Sequence, residues 1–304
     1  ATGVVAAGGT LGILIPPSTG FVIYAILTES SIGKLFLAGV LPGLLLTLFF
    51  VVTVGVLTRL DPLQGPPGPR SDFRARAKSL GRASAVLFII AVTIGGIYAG
   101  AFTADEAAAV GTVLALVLAI ARRTLDRAKW TQVLLESIKT TAMVFMILIG
   151  AHVFEPFLAL SHIARDLAEG MASMRLAPAA ILAVVVVVYI ILGMFLEGFA
   201  MLVLTIPIVV PMLEAAGVPG MLGLATPDQF RIWFGVVVVI LLEMGLISPP
   251  VGVNVYVVKG IAGDVPMREI FAGIWPFFVA MLICIGVLCL FPGIALMLPN
   301  TMKG

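Results

Sequence analysis

The stretch Gly245-Leu246-Ile247-Ser248-Pro249-Pro250-Val251 lies inside an apolar run that continues to Ile261. Two consecutive prolines remove two backbone N–H donors and clash with the preceding turn, so a helix cannot continue through them. In a bilayer, the carbonyl groups that lose their partners must be satisfied by other parts of the protein or by a water-filled cavity. The stretch therefore predicts a membrane span that is broken midway.

The composition places the rest of the chain in lipid as well. Of the 304 residues, 61% are apolar and 11% are charged, whereas soluble domains have about 45–50% and about 25%. These values, with a mean hydropathy of +1.19, exclude a soluble enzyme, a nucleic-acid-binding protein and a disordered chain. A net charge of +2 is too small to indicate an anionic partner. We expect an all-α polytopic membrane protein surrounded by the lipid bilayer.

The broken span has a second copy near the beginning of the chain. Three landmarks recur in order: GILIPPS at 12–18 with GLISPPV at 245–251, Tyr24 with Tyr256, and AGVLP at 38–42 with AGIWP at 272–276. Their offsets are all between 232 and 234 residues. This regularity predicts an internal repeat that contains a proline break in each copy.

Basic residues mark the cytoplasmic loops and thereby the direction of each span. One cluster lies between Arg59 and Arg82, and a second lies between Arg122 and Lys129. By the positive-inside rule both face the cytoplasm, so the chain between them crosses twice, with a turn near the capping box that starts at Thr103. The first broken span then runs outward and the second inward. Inverted repeats with broken helices are typical of secondary transporters.

Ala177–Leu213 is predicted to fold back on itself. Its middle contains two glycines and Glu197, and each half is shorter than the roughly twenty residues that a crossing needs. We expect a re-entrant hairpin with its tip near Glu197. The residues from Thr226 to Gln229 then have the pattern of a helix N-terminus. Glu243, one turn before the second break, is placed to bond the N–H groups freed there.

Three motifs in order resemble the large membrane subunit of TRAP transporters, the tripartite ATP-independent periplasmic transporters, in its DctM-like form. They are GTLGILIPPS at 9–18, GGIYAGAFTADEA at 95–107 and EMGLISPPVGVN at 243–254. Ser248 stands where the family usually has threonine, which keeps the hydroxyl group. The family's first hairpin would precede Ala1, so we expect this chain to lack the N-terminal part of the subunit.

The resemblance implies a transporter subunit rather than an enzyme. It implies sodium-driven import of small organic acids, such as C4-dicarboxylates or sugar acids, across the cytoplasmic (inner) membrane of a bacterium or archaeon. The coupling ion would be Na⁺. The partners would be a small four-helix membrane subunit and a periplasmic substrate-binding protein, with no role for nucleic acid.

The resemblance also assigns residues to sites where hairpin tips meet broken helices. The first sodium site would use Gly12, Ile15, Pro16 and Ser18 together with the absent tip. The second sodium site would use Glu197, Gly198, Ser248, Pro249 and Val251. The substrate would be bound by Gly9, Thr10, Glu197, Gly252 and Asn254.

The expected fold is that of an elevator-type ion transporter, in which one block moves past another. Residues 1–28 and 177–262 contain the breaks and the hairpin, so they would form the transport domain. Residues 29–176, with the cytoplasmic loop 59–82, and residues 263–304, with the last span, would form the static scaffold.

Two other functions remain open on the sequence alone. One is a proton- or sodium-coupled carboxylate carrier of related architecture that works without a binding protein. The other is an intramembrane protease, which would need a Ser/His pair or paired aspartates at membrane depth. The two histidines, His152 and His162, lie together near one outer loop with no such serine opposite, which disfavours the protease.

The predicted orientation can be tested with single cysteines in a variant whose Cys284 and Cys289 are replaced by serine. A cysteine at Gly220 should react with an impermeant maleimide in intact cells. A cysteine at Ser71 should react only after the membrane is permeabilised, because the positive-inside rule places it in the cytoplasm. Labelling at Ser71 in intact cells would contradict the assigned orientation.

Overall fold

The computed structural model describes residues 2–65, 72–162, 166, 169–170, 176–262 and 265–302, and within them it contains helices and no strand. The helices are α1 (Thr2–Leu14), α2 (Thr19–Thr28), α3 (Ile32–Leu60), α4 (Phe73–Tyr98), α5 (Ala104–Ala121), α6 (Arg127–Ser161), α7 (Pro178–Phe195), α8 (Gly198–Ala215), α9 (Val218–Met221), α10 (Pro227–Ile247), α11 (Val253–Ala262), α12 (Met267–Leu290) and α13 (Gly293–Thr301). Seven helices in these residues are long and apolar enough to cross a membrane. The all-α polytopic class is therefore confirmed.

Helix starts follow the local capping signals. Thr103 caps α5 with the complete capping box, since its hydroxyl accepts from the Glu106 N–H and the Glu106 carboxylate accepts from the Thr103 N–H. Thr226 caps α10, with Pro227 at the first helical position and its hydroxyl accepting from the Gln229 N–H. Both predicted helix starts are confirmed.

The basic segment 59–82 differs from the prediction, which treated it as a loop throughout. Helix α4 already begins at Phe73, so the second half of the segment is helical. The physical reason is local: the last proline of the segment is Pro69, and Ala, Arg, Lys and Leu, which favour helices, predominate after it.

The chain divides into two compact units, residues 1–65 with 147–300 and residues 66–146 with 301–304. In the second unit α4 and α5 form a helical hairpin. The ring of Phe102 packs directly over Gly96, where a Cβ atom would overlap it, and the methyl group of Thr93 lies 3.0 Å from the Cβ position of Gly111. Small residues thus let these two helices approach closely.

Helix α10 forms the core of the first unit. From Ile232 to Leu242 every residue is apolar and buried, as expected of a helix enclosed by others. The helices that pack against it are α1, α2, α3, α7, α8, α11 and α12. Polar bonds also tie it in place: the Trp233 indole N–H donates to the Leu288 carbonyl at 2.9 Å, and the Tyr24 hydroxyl donates to the Arg231 carbonyl at 2.7 Å.

The two broken helices run in opposite directions. Tyr24 of α2 contacts α10 at Arg231, Gly20 lies beside Val239, and Leu14 of α1 lies beside Glu243. The residue number rises along α10 as it falls along α2 and α1, so the helices are antiparallel. This geometry agrees with the predicted inversion of the repeats.

Both copies also share the same order of elements. Each has a helix, a Pro-Pro break, a helix of ten residues (α2 or α11) and then a long helix with one internal proline, Pro42 in α3 and Pro276 in α12. The Pro16–Pro17 and Pro249–Pro250 bonds at the two breaks are cis. The repeat seen in the sequence is therefore a repeat of structure.

The hairpin is confirmed by a bond between its two arms, α7 and α8. Tyr189 precedes Glu197 by eight residues and Thr205 follows it by eight, yet their hydroxyl groups are 2.7 Å apart. In a continuous helix these residues would be about 24 Å apart. The chain therefore turns back at Glu197, where the sequence predicted the tip.

The long helices α3 and α12, which the sequence assigns to the scaffold, lie in the same compact unit as the breaks and the hairpin. Helix α12 meets α1 where Gly3 contacts the backbone of Gly273, so closely that a Cβ atom on Gly3 would overlap it. The boundary between the moving and the static parts of the protein remains a prediction.

Candidate functional site: two broken helices and a hairpin tip

The first break lies between α1 and α2, which form an angle of 43°. Ser18 caps α2 and its buried Oγ accepts from the Phe21 N–H at 3.4 Å. Because residues 16 and 17 are prolines, the carbonyl groups of Gly12 and Ile13 lack the N–H donors that a continuous helix would offer four residues later. The break thus presents backbone oxygens inside a membrane span.

The second break lies between α10 and α11. The Ser248 hydroxyl donates to the Met244 carbonyl at 2.6 Å, which leaves its oxygen lone pairs available as acceptors. The Leu246 carbonyl lacks its usual donor because residue 250 is proline. Gly252 closes the break with φ +47°, in the left-handed region that favours glycine, and a Cβ atom there would stand 3.1 Å from the Ser248 carbonyl oxygen.

The hairpin lies against α10 just before this break. Gly193 of α7 and Gly245 of α10 cross so closely that a Cβ on Gly245 would stand 2.6 Å from the Gly193 carbonyl oxygen. At the tip, the Cβ position of Gly198 is 3.2 Å from the Leu242 side chain. The sequence motifs assign neither of these two glycines a role. Small residues at facing positions are the signal that marks such a crossing.

Glu197 at the tip caps the second arm of the hairpin. One of its carboxylate oxygens accepts from the N–H groups of Phe199 and Ala200, both at 3.0 Å, and the side chain is exposed. A carboxylate at a helix N-terminus satisfies free donors and interacts favourably with the helix dipole. The other carboxylate oxygen remains available for a ligand.

The residues predicted for the sodium sites therefore gather at the two breaks. Gly198 contacts α10 next to the break that contains Ser248, Pro249 and Val251. At the first break, Gly12 and Ile15 are exposed whereas Pro16 and Ser18 are buried. Their roles as ligands remain predictions.

The residues predicted for substrate binding are only partly brought together. The side-chain amide of Asn254 lies 3.9 Å from the Cβ position of Gly9, so α11 and α1 meet there. Gly252 is buried in the second break. Thr10 is fully buried and its hydroxyl donates to the Ala7 carbonyl at 2.8 Å, inside the helix packing.

Glu243 is the residue whose environment differs most from the expectation. It does not bond the N–H groups of its own break. Its carboxyl group instead faces α1 of the other repeat, beside Thr10 and Leu14, and neither oxygen has a hydrogen-bond partner among the described residues. Sequence spacing alone cannot show which neighbour a buried side chain faces.

The donor set suits an alkali ion better than a transition metal. Within the described part of the chain, no group of three or more His, Cys, Asp or Glu residues is placed to hold a metal ion. The oxygens at the breaks are carbonyls and hydroxyls, and hard cations prefer oxygen ligands. These groups can coordinate a weakly held cation without binding zinc or iron.

An apolar cavity of about 320 Å³ adjoins the second break. Its walls are formed by α7, which contributes Ile191, by Ser248 and Pro249 of the break, and by α12, which contributes Trp275. A buried charge without a polar partner is costly, so this cavity does not suit an organic acid.

Comparisons with known proteins agree on one family. Residues 1–294 match the family described as the tripartite ATP-independent periplasmic transporter, DctM component. The chain is 36% identical to the C4-dicarboxylate TRAP transporter large permease protein DctM of Pseudomonas aeruginosa, covering 98% of this chain and 67% of that protein. It is 32% identical to the sialic acid TRAP transporter large permease protein SiaM of Vibrio cholerae, over 100% of this chain and 68% of that protein. The ectoine TRAP transporter large permease protein TeaC of Halomonas elongata is 26% identical, over 95% of this chain and 64% of that protein.

The crossing of Gly193 and Gly245 can be tested by Gly245→Ala. The added Cβ would meet backbone rather than a movable side chain, and overpacking of this kind costs about 1–3 kcal/mol. We expect a lower Tm in detergent. Gly286→Ala is the matched control, because nothing lies within 4 Å of its Cβ position in α12. A Gly245→Ala protein as stable as this control would contradict the proposed tight crossing.

Proposed function

This chain belongs to the DctM component family of tripartite ATP-independent periplasmic transporters, and from that membership we propose that it imports small organic acids together with sodium ions. It is the large permease subunit type within that family. The finer points, which are the coupling ion, the substrate class and the type of motion, are proposals argued from the geometry.

The observation that carries the sodium proposal is the pair of antiparallel broken helices. Each break removes N–H donors from a membrane span, and lipid cannot replace them. Sodium ions could act as partners of the freed carbonyl oxygens. Because this binding is reversible, sodium could fill each break in one part of the transport cycle and leave it in another.

The ligands follow from which groups each break exposes. At the first break we propose oxygen ligands from Gly12 and Ile15, with the turn at Pro16 and the Ser18 cap fixing their directions. At the second break we propose the Ser248 hydroxyl oxygen and carbonyl groups near Pro249 and Val251. The hairpin tip, Glu197 and Gly198, would complete this second set.

The proposed substrate class rests on the relatives. The named substrates of those three proteins are C4-dicarboxylates, sialic acid and ectoine, all of which carry a carboxylate group. Helix N-termini bind anions through free N–H groups, and α11 begins at Val253, next to Asn254 and across from Gly9. We place the substrate carboxylate between Gly252, Asn254 and Gly9.

The proposed motion is that of an elevator, with one unit moving as a rigid body across the membrane. The breaks and the hairpin must move together, since separating them would leave carbonyl groups unpaired in lipid. The contact of Gly3 with Gly273 and the Trp233–Leu288 bond tie α12 to the same body. We therefore assign α12, and with it α3, to the moving unit rather than to the scaffold.

The family implies two further proteins, a small membrane subunit and a periplasmic binding protein. Their requirement separates this proposal from a carrier that works alone. The test is uptake of a C4-dicarboxylate by proteoliposomes that contain all three proteins. Uptake should need both an inward sodium gradient and the binding protein. Uptake without the binding protein would favour the simpler carrier, and uptake without sodium would refute sodium coupling.

The second break can be tested by the double substitution Pro249→Ala and Pro250→Ala. Alanine favours a continuous helix, which would restore donors to the carbonyl groups. Expression should survive, while sodium-driven uptake should fall to the level seen without a sodium gradient. The matched control is Pro66→Ala with Pro67→Ala, which changes a Pro-Pro pair in the basic segment. Unchanged sodium dependence in the first variant would show that the break is only a kink.

A further inference from the structure

Glu243 is a carboxylic acid enclosed where the two broken helices cross. Its side chain is 0% exposed, and neither oxygen has a hydrogen-bond partner among the described residues. It lies on α10, five residues before Ser248, and its carboxyl group points towards the Thr10 hydroxyl group and the Leu14 N–H of α1, neither of which is placed to donate a hydrogen bond to it. The sodium and substrate sites proposed above give it no role.

In the described part of the chain, no charged side chain is among the groups that act on the Glu243 carboxyl, which include the Leu14 backbone and the Thr10 hydroxyl. The titratable residues on the helices that pack against α10 are Tyr24, Lys34, Arg59, Tyr189, Glu214, Tyr256, Lys259, Arg268, Glu269, Cys284 and Cys289, and α1 has none. On α10 itself, Arg231 pairs with Glu214 and Asp228 pairs with Lys34. The Cys284 thiol of α12 is the group on these helices close enough to interact with Glu243. It supplies no positive charge.

The neighbouring hydroxyl group decides which form of the carboxyl fits. The Thr10 hydroxyl hydrogen is already donated to the Ala7 carbonyl at 2.8 Å. The Thr10 oxygen can therefore only accept from Glu243, since a hydroxyl group has one donor. An ionised carboxylate has only acceptors, whereas a carboxylic acid has an O–H group to donate.

We propose that Glu243 is a proton-binding site, and that its bound proton joins the two inverted repeats where α10 crosses α1. An isolated buried carboxylate at membrane depth is costly without a partner. In the acid form the O–H group can donate to the Thr10 oxygen and the contact stays uncharged. Loss of the proton would place a negative charge between two helices whose packing holds both breaks in position.

The first test compares the pH dependence of thermal stability in detergent for the wild type and Glu243→Gln. Glutamine has nearly the same size and is always neutral. In the unfolded chain Glu243 ionises above about pH 4.3. If Glu243 stays protonated in the folded protein, the folded protein becomes less stable relative to the unfolded chain as the pH rises. The Tm of Glu243→Gln minus that of the wild type should therefore increase from pH 5 to pH 8.

The matched control is Glu214→Gln on α8. Glu214 is partly exposed and its carboxylate accepts from the Arg231 guanidinium at 3.1 Å. Removing its charge should lower the Tm, with no gain relative to the wild type as the pH rises. A Glu243→Gln protein that behaves like this control, with no gain in Tm relative to the wild type between pH 5 and pH 8, would overturn the proposal.

The second test detects the proton directly in the wild type. Infrared spectra of the wild type in lipid at neutral pH should contain the C=O stretch of a protonated carboxyl group, shifted in heavy water. The band should be absent from Glu243→Gln and present in Glu214→Gln. A wild type without this band at neutral pH would overturn the proposal even if Glu243→Gln failed to fold.

A comparison of sodium chloride with potassium chloride distinguishes a bound proton from a bound sodium ion at Glu243. If sodium chloride raised the Tm of the wild type more than potassium chloride did, and if Glu243→Gln abolished that difference, the carboxylate would bind a cation and the proposal would fail. None of these measurements uses substrate or the partner proteins. Their outcome is therefore independent of whether the proposed transport function is correct.

Discussion

The requirement that every backbone polar group at membrane depth find a partner governs this structure. An unbroken helix meets the requirement within itself, and two Pro-Pro pairs prevent it in α1–α2 and α10–α11. The protein places both breaks in one compact unit with α10 at its centre. Neighbouring helices therefore surround both breaks, although Gly12 at the first break stays exposed. The antiparallel arrangement brings the helices on either side of one break beside those of the other, with Leu14 beside Glu243 and Gly9 beside Asn254.

Close backbone approach is the means by which the breaks are held. Gly193 against Gly245 and Gly3 against Gly273 let helices touch without side chains between them. Between helices surrounded by lipid, tight packing replaces the hydrophobic driving force that water would supply. The bond between Tyr189 and Thr205 adds a polar link inside the hairpin. Together these contacts make one body of elements that are far apart in the sequence.

Local signals in the sequence predicted the breaks, the hairpin tip and the helix starts, because each depends on residues next to each other in the chain. The consecutive prolines at 16–17 and 249–250 each remove two neighbouring donors and stop the helix, whereas the single prolines Pro42 and Pro276 lie inside α3 and α12. Thr103 and Thr226 begin helices through bonds to residues three positions later. The start of α4 at Phe73 was missed because a basic segment was treated as a loop, although its residues favour helix. The direction of the Glu243 side chain and the crossing of Gly193 with Gly245 depend on residues distant in the chain, so no local pattern could show them.

The ten-residue length of α2 and α11 has a consequence for how the protein is made. Each half-helix is about 15 Å long, roughly half the hydrocarbon thickness of a bilayer, so neither can enter the membrane as a span of its own. During synthesis α2 can be held by α1 and by the long helix α3 that follows it. Helix α11 emerges late and has α10 before it and α12 after it. Because α11 contacts both α10 and α12, the second break can be completed only after α12 has left the ribosome, which makes its assembly a late step in biogenesis.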